Sequence, residues 1–317
     1  MKIDKAKRVL EMYLRMARGE TIYRNEECMR YGVTVRSINR DIQDIEEVLE
    51  EWHNAAAQEI ILGKGSGEYR LNPDWHNLLA PKETLAVCKV LLESRSLVNE
   101  EMEPIINKLL DNCGGNEKRK LVEEYIRNER YHYVELQHHE KLLERLWELE
   151  KAVKEQWYIE ISYQKLKNAE RVVRRVQPVG IMFSEFYFYL TAYIEGIDKE
   201  KAFQNPKDKY PTIYRVDRIK EVRLLDEHFN VPSYRERFQE GEFRKRVQFM
   251  YGGRLRRIRF KYKGNSPESI LDKLPTAEII KKEDDGMIIQ AEVFGDGVDK
   301  WIQSQGDYIV VLKSTLL

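Results

Sequence analysis

Residues 32–42 read GVTVRSINRDI, and the fold can be worked out from the helix that this stretch begins. The hydroxyl of Thr34 is suited to cap the first turn, and apolar residues then recur at Ile38, Ile42 and Ile45. The opposite face carries the polar and basic side chains that suit base edges in the major groove. The candidates for DNA contact are Thr34, Arg36, Ser37, Asn39, Arg40 and Gln43.

Two helices are predicted before this stretch and two short strands after it. Residues 4–18 form a helix that ends at Gly19, and residues 24–31 form a second helix closed by Gly32. The first helix is expected to bury one face, made of Val9, Leu10, Tyr13, Leu14 and Ala17. Strands at residues 60–62 and 69–71 flank a glycine-rich turn at residues 63–67. We therefore expect a first domain at residues 1–74.

The charge distribution changes abruptly within the third helix. Residues 1–40 contain ten Lys or Arg against five Asp or Glu, whereas residues 41–60 contain seven Asp or Glu and no Lys or Arg. Phosphate would attract the start of the helix and repel its end, so the helix should enter a groove N-terminus first. A helical bundle whose basic face is only solvated remains the structural alternative.

Composition points to a chain of several domains. With 317 residues, 34% of them charged and 42% hydrophobic, the chain can form two or three domains, and its net charge is zero. Cys28, Cys88 and Cys113 lack the spacing of a disulfide framework or a zinc site. No apolar run is long enough for a membrane span. We expect a cytoplasmic protein that does not bind membranes.

No motif for catalysis, a cofactor or a metal is present. His132, Glu135 and His139 could share a helix face, but their spacing is not H-E-x-x-H and no further ligand is indicated. No Ser or Cys has the setting of a nucleophile. We therefore expect no enzymatic activity, no cofactor and no metal.

Periodicity divides the rest of the chain into a helical part and two strand-rich parts. Residues 75–139 read as a helical connector, residues 140–232 as a small β-rich domain and residues 233–317 as a small α+β domain. The fold class is therefore multidomain α+β. Helices are expected near residues 81–156, with a break at 113–116, and at 233–246 and 298–304. Strands are expected at residues 158–163, 172–176, 186–194, 213–225, 255–263, 287–293 and 308–313.

The stretch at residues 32–42 resembles the recognition helix of winged regulators of the DeoR type. Arg36, Arg40 and Asp41 match that pattern, and Ser37 stands for the usual Thr. The resemblance implies that residues 1–74 are a winged helix-turn-helix domain. The turn at residues 63–67 would then be the wing, with Lys64 available for a phosphate.

Three later blocks, RRVQP at residues 174–178, FYL at 188–190 and YRVDRI at 214–219, resemble the WYL domain in order and content. Phe188 replaces the Trp of that family, and Thr212 stands where an Arg often precedes the last block. The resemblance covers about residues 140–229. It implies an Sm-like or SH3-like β-barrel that senses a nucleotide or a nucleic-acid end. The remainder of the chain resembles the extension found after many WYL domains, which is associated with dimerisation and ligand access.

Aromatic rings and fixed cations in this region suit stacking on a base and pairing with a phosphate. The candidates for ligand contact are Tyr163, Arg174, Tyr189, Arg215 and Arg218. In the structural alternative, the tyrosines and Phe188 form a barrel core and Asp217 pairs with one of the arginines, and Arg218 is among the residues most expected to be structural.

A basic stripe follows in the last domain. It consists of Arg257, Arg259, Lys261 and Lys263, which fall on one face of the predicted strand, opposite Ile258, Phe260 and Tyr262. The stripe is either a solvated strand surface or a groove for single-stranded nucleic acid.

Two functions are compatible with the sequence. The leading hypothesis is a homodimeric, ligand-responsive transcription regulator that binds double-stranded operator DNA, with a nucleotide or single-stranded nucleic acid as effector. Dimerisation is inferred because one winged domain contacts only one half-site. The alternative is a single-stranded nucleic-acid sensor or adaptor that acts on a partner protein.

Overall fold

A computed structural model describes residues 4–53, 61–72, 79–113, 116–166, 169–197, 210–230 and 238–317. The chain divides into two compact units. The first contains Met1–Arg95 and Asn99–Val134, and the second contains Ser96–Val98 and Glu135–Leu317.

The first unit begins with three helices and a small sheet. In chain order the elements are α1 (Lys5–Ala17), β1 (Ile22–Tyr23), α2 (Arg24–Tyr31), α3 (Val35–His53), β2 (Ile61–Leu62) and β3 (Glu68–Leu71). The expected helices and hairpin strands are present, and residue 60 lies outside the described residues. The short β1 strand was not predicted; it pairs antiparallel with β3, which gives the sheet order β1-β3-β2. Ile38, Ile42 and Ile45 of α3 are buried in the core between these elements, as expected.

The predicted inner face of α1 was right for Val9, Tyr13 and Ala17, which pack against the core, and wrong for Leu10 and Leu14. Met12 and Met16 are fully buried, whereas Leu10 and Leu14 are 56% and 45% exposed. Arg8 lies on this inner face, where its Nε donates to Oδ2 of Asp41 at 2.5 Å. Nearly every side of α1 carries an apolar residue, so periodicity alone could not show that a paired arginine belongs inside.

Three further helices complete the first unit: α4 (Pro81–Ser94), α5 (Asn99–Asp111) and α6 (Asn116–Tyr131). The break after Asp111 falls where it was expected, although residues 114–115 lie outside the described residues. Because α6 ends at Tyr131, His132, Glu135 and His139 do not share a helix face, contrary to expectation. His139 has a left-handed backbone and its Nδ1 lies 3.0 Å from Oε2 of Glu135.

The second unit begins with α7 (Leu143–Glu155) and a five-stranded antiparallel sheet. The strands are β4 (Trp157–Gln164), β5 (Arg171–Ser184), β6 (Tyr187–Ile194), β7 (Thr212–Arg215) and β8 (Ile219–His228), in the order β7-β6-β5-β4-β8. A strand expected across residues 213–225 is instead interrupted by a 3-10 turn at Val216–Arg218. This turn buries Val216 and Asp217 and ends the pairing of β7 with β6, so that β8 can pair with β4.

The chain ends with a second antiparallel sheet of order β10-β11-β9-β12. Its elements are α8 (Glu240–Arg244), β9 (Leu255–Tyr262), α9 (Glu268–Lys273), β10 (Glu278–Glu283), β11 (Gly286–Phe294), α10 (Gly297–Ser304) and β12 (Ile309–Leu316). The helix expected at residues 233–246 is shorter, because among its described residues only Glu240–Arg244 are α-helical; residues 233–237 lie outside the described residues. The strand β10 and the helix α9 were not predicted. Trp301 of α10 packs over Phe260 of β9 in the core.

None of the helices in the described ranges combines the length and apolar character that a membrane span requires. The described residues also contain no group of three or more His, Cys, Asp or Glu side chains that could hold a metal ion.

Candidate functional site

The outer face of α3 presents two arginines to solvent. Arg36 and Arg40 are exposed one turn apart, and neither makes an ion pair within the described part of the chain. Thr34 caps the helix, since its Oγ1 accepts a hydrogen bond from the Ser37 backbone N–H at 3.3 Å. The Ser37 hydroxyl also lies 3.0 Å from Thr34 Oγ1. The cap and the two cations therefore occupy the same end of α3.

The other candidate DNA contacts already have partners. Asn39 accepts a hydrogen bond from the Tyr69 hydroxyl at 2.6 Å, and Gln43 donates to Glu47 at 2.9 Å. Lys64, expected to be available for a phosphate, instead lies 2.5 Å from Glu46 Oε1. The turn brings Lys64 next to the acidic half of α3, so its charge is compensated.

Asp41 does not face outward, although it marks the point where the charge of the sequence reverses. Its side chain is 1% exposed and is bound to Arg8. Both residues therefore belong to the interior of the first unit, and neither contributes to the charge that α3 presents to solvent.

A cavity of about 620 Å³ opens in the second unit, and we call it the aromatic cavity. Its aromatic lining consists of Tyr163, Phe186, Tyr187, Tyr189, Phe249 and Tyr251. Burial raises the pKa of Tyr189 to about 12, so its hydroxyl stays neutral at physiological pH. The cavity thus offers uncharged π faces, with Arg215, Arg218 and Lys300 as its cationic lining.

A second cavity of about 470 Å³, the polar cavity, shares Arg215, Arg218, Tyr187 and Leu166 with the first. Its remaining polar lining comprises Gln137, His138, Gln164, Lys165, Asp217 and Lys220. The two arginines therefore lie at the junction between an aromatic and a polar space.

The two junction arginines differ in their pairing. Arg215 donates from Nε and Nη2 to both carboxylate oxygens of Asp217, at 3.0 and 2.8 Å, and lies over the Tyr187 ring at 3.5 Å. Arg218 makes no ion pair with any described residue, and its Nε is shielded from solvent without a hydrogen-bond partner there. Arg215 is held in place by its neighbours, whereas Arg218 has hydrogen-bond donors that no described residue engages.

His138 supplies a second donor beside these arginines. Its Nδ1 accepts the Glu140 backbone N–H at 2.9 Å, which places the proton of the neutral ring on Nε2. That Nε2 is buried and has no acceptor among the described residues. Burial also lowers the pKa of His138 and favours this neutral form.

Comparison with protein families decides what this region is. The family profile described as the WYL domain matches residues 144–224, which include most of α7 and most of the five-stranded sheet. Residues 144–224 are a WYL domain. Both cavities are lined by side chains of this WYL domain and by residues outside it.

Sixteen chains of solved structures match this chain, and two of them are named below. One is "Proteasome accessory factor B/C (PafBC) of Arthrobacter aurescens", with 14% identity and a TM-score of 0.28, covering 98% of this chain and 44% of that one. The chain thus spans less than half the length of that protein. The other is described as a CRISPR Cas-related protein, with 13% identity and a TM-score of 0.35, covering 76% of this chain and 70% of that one. A comparison with curated proteins finds no match.

The structure brings together Tyr163, Tyr189, Arg215 and Arg218 at the aromatic cavity. Arg174 is not part of the lining of either cavity. It lies on β5 of the WYL domain opposite Ile161, and its Nη1 donates to the Val173 carbonyl at 3.2 Å.

Several cavity residues were missed by sequence reasoning. His138 precedes the WYL domain, Phe249 and Tyr251 follow it, and Tyr187 stands one residue before the FYL block. The signal that could have found Tyr187 is its place beside that block. The other three carry no local signal, because only the fold brings them to the WYL domain.

The basic stripe of β9 does alternate with buried residues as expected, but two of its four charges are compensated by acidic side chains. Arg257 lies 2.8 Å from Glu292, and Lys261 lies 2.9 Å from Glu283 and 2.5 Å from Asp285. Arg259 donates to Gln290 at 2.7 Å, and Lys263 lies one residue beyond β9. Arg257 and Lys261 thus have acidic partners on β11, on β10 and in the β10–β11 turn, and a groove for single-stranded nucleic acid along the stripe stays a prediction.

Proposed function

We propose that this chain is a ligand-responsive, DNA-binding transcription regulator. In this proposal residues 1–74 are a winged helix-turn-helix domain of the DeoR type, α3 is its recognition helix and the β2–β3 turn is its wing. The order of helix, strand, two helices and a hairpin supports this assignment. The proposed role is binding, not catalysis.

The observation that carries the proposal is the pair of unengaged arginines on α3. Two other arginines of the same unit are held by carboxylates: Arg8 by Asp41, and Arg15 by Glu20 and Glu27. Arg36 and Arg40 are instead exposed near the N-terminus of α3, where the helix dipole also favours a phosphate. A guanidinium in this position is suited to bidentate contact with guanine.

We further propose that the WYL domain holds the effector, a nucleotide or single-stranded nucleic acid, and that its binding shifts the protein between DNA-competent and incompetent forms. The neighbouring aromatic and polar cavities support a ligand with both chemistries. A homodimer is proposed because one winged domain reads one half-site. The alternative role as a single-stranded nucleic-acid adaptor has less support, since acidic neighbours engage Arg257 and Lys261 of the β9 stripe.

The test begins with selection of duplexes from a random DNA pool by the full chain, followed by affinity measurements on the selected site. Arg36→Ala and Arg40→Ala should each weaken binding to that site by about ten-fold or more, because a bidentate base contact contributes roughly 1–3 kcal/mol. Arg223→Ala is the matched control, since it removes the same charge from an exposed position on β8.

Binding to unrelated duplexes should change much less than binding to the selected site. The proposal fails if Arg36→Ala and Arg40→Ala behave like Arg223→Ala. It also fails if no duplex is enriched by the full chain, with or without nucleotides present.

A further inference from the structure

The segment at residues 248–253, which follows the WYL domain, has an unusual backbone. Phe249 and Met250 adopt successive left-handed conformations, with φ of +49° and +54°. Such conformations are costly for residues with a side chain, and they persist only where the surroundings hold them. Strain of this kind is concentrated at ligand clamps and switch regions, so the segment warrants a functional explanation.

A close approach of two backbones holds this segment in place. A Cβ on Gly253 would lie 2.5 Å from the Gly295 Cα, and a Cβ on Gly297 would lie 1.8 Å from the Gln248 carbonyl oxygen. Both distances are shorter than side chains allow, so these positions require glycine. The segment is thereby fixed against the turn that precedes α10.

Fixing the segment places Phe249, Met250 and Tyr251 in the lining of the aromatic cavity. Lys300 of α10 also lines the cavity, and its Nζ lies 4.0 Å from the centre of the Tyr251 ring. Tyr251 is 43% exposed, although it is held by this cation. An exposed aromatic face beside the cavity is available for stacking.

We propose that the region after the WYL domain forms part of the effector site. In this arrangement Tyr251 stacks on a nucleobase in the aromatic cavity, and the phosphate joined to that nucleoside binds Arg218 at the entrance to the polar cavity. The proposal rests on the proposed function, because it deepens the account of the effector site.

A ligand that fills both cavities needs an aromatic part for one and a negatively charged part for the other. A purely apolar ligand would leave Arg218 without a partner at the junction. A simple anion would leave the neutral aromatic faces of Tyr187, Tyr189 and Tyr251 unused. A nucleobase that carries a phosphate satisfies both, and either a free nucleotide or the end of a single strand can supply it.

Isothermal titration of the full chain with defined probes tests this proposal. The probes are thymidine 5′-monophosphate, tetrathymidylate with a 5′-phosphate, and inorganic pyrophosphate. Tyr251→Ala should weaken binding of the tighter thymidine probe by about ten- to a hundred-fold, the range found when one base loses its aromatic partner. Tyr251→Phe keeps the ring and should bind within about two-fold of wild type.

Tyr308→Ala is the matched control, because it removes an exposed tyrosine of the same region that does not line the cavity. Pyrophosphate has no ring, so Tyr251→Ala should leave its affinity unchanged, whereas Arg218→Met should reduce it. If Tyr251→Ala fails to fold, Tyr251→Leu replaces it, because leucine retains apolar volume without a ring. Tyr251→Leu should weaken binding of the thymidine probe and leave the affinity for pyrophosphate unchanged, as expected for Tyr251→Ala. A mononucleotide that binds as tightly as the tetramer would identify a free nucleotide as the source, and a much weaker one would identify a strand end.

The proposal is overturned if Tyr251→Ala binds the thymidine probes as tightly as Tyr308→Ala and wild type do. If wild type binds none of the probes, the nucleotide effector and this inference both fail. The operator measurements with Arg36→Ala and Arg40→Ala need no effector, so the DNA-binding proposal stands or falls separately.

Discussion

The buried ion pair between α1 and α3 provides the sharpest test of how α3 is supported. Asp41 and Arg8 have side chains 1% and 8% exposed, and their charged atoms lie 2.5 Å apart. Asp44, one turn further along α3, pairs with Lys5 at the same 2.5 Å distance, but these side chains are 36% and 52% exposed. The two pairs join the same helices and differ mainly in burial.

Burial determines the expected magnitudes. Asp41→Asn removes the charge opposite Arg8, which cannot regain water, and breaking a buried pair in this way costs about 3–5 kcal/mol. Asp44→Asn leaves Lys5 in solvent, and the loss of an exposed pair costs about 0–1 kcal/mol. Replacing both buried partners, as Arg8→Met with Asp41→Leu, should cost less than Asp41→Asn, because no buried charge remains.

Amide hydrogen exchange of the full chain, followed by mass spectrometry on peptides from α1 and α3, measures these differences locally. Under native conditions, about 3 kcal/mol of lost local stability accelerates exchange roughly a hundred-fold, and Asp44→Asn should change it by less than about ten-fold. Equal exchange in Asp41→Asn and Asp44→Asn, with DNA affinity lost only in the former, would refute the structural role of Asp41.

Two further predictions concern the second unit. Burial lowers the pKa of His138 in the folded chain. As the pH falls, the unfolded chain therefore binds a proton at this histidine before the folded chain does. The contribution of the neutral ring to the free energy of unfolding is present above the ordinary imidazole pKa and is lost below it. Between about pH 7.5 and about pH 5.5, the melting temperature of wild type should therefore fall further than that of His138→Gln. If calorimetry shows the two melting temperatures falling in parallel with pH, the lowered pKa of His138 is contradicted. The double variant Arg257→Ala with Arg259→Ala should change the affinity for oligothymidylate by less than about three-fold, because Glu292 already engages one of these cations. Titration at fixed salt measures this affinity. A larger loss would show that the β9 stripe binds nucleic acid.

Local sequence patterns predicted correctly those features that depend on a single helix or strand. The inner face of α3, the alternation of β9 and most of the strands follow from periodicities of 3.6 and 2.0 residues, which depend only on neighbours in the chain. The predicted inner face of α1 failed at Leu10 and Leu14 because apolar residues surround that helix, and the position of Arg8 depends on Asp41, 33 residues away.

The candidate site was predicted only in part for the same reason. Tyr163, Tyr189, Arg215 and Arg218 were chosen for their chemistry, and the fold brings all four to one cavity. The choice between the arginines was less successful, because Arg218, expected to be structural, has no ion pair among the described residues, whereas Arg215 is bound to Asp217.

The sequence by itself determined the α3 helix and its polar face, the change from helices to strands near residue 157, and the blocks that resemble a WYL domain. Only the tertiary structure decided which charges are free and which residues complete the cavities. Lys64 is compensated by Glu46, and Tyr251 reaches the aromatic cavity from beyond the WYL domain. Helical and strand periods are properties of neighbouring residues, whereas charge pairing and cavity lining depend on residues that are distant in the chain and meet only when it folds.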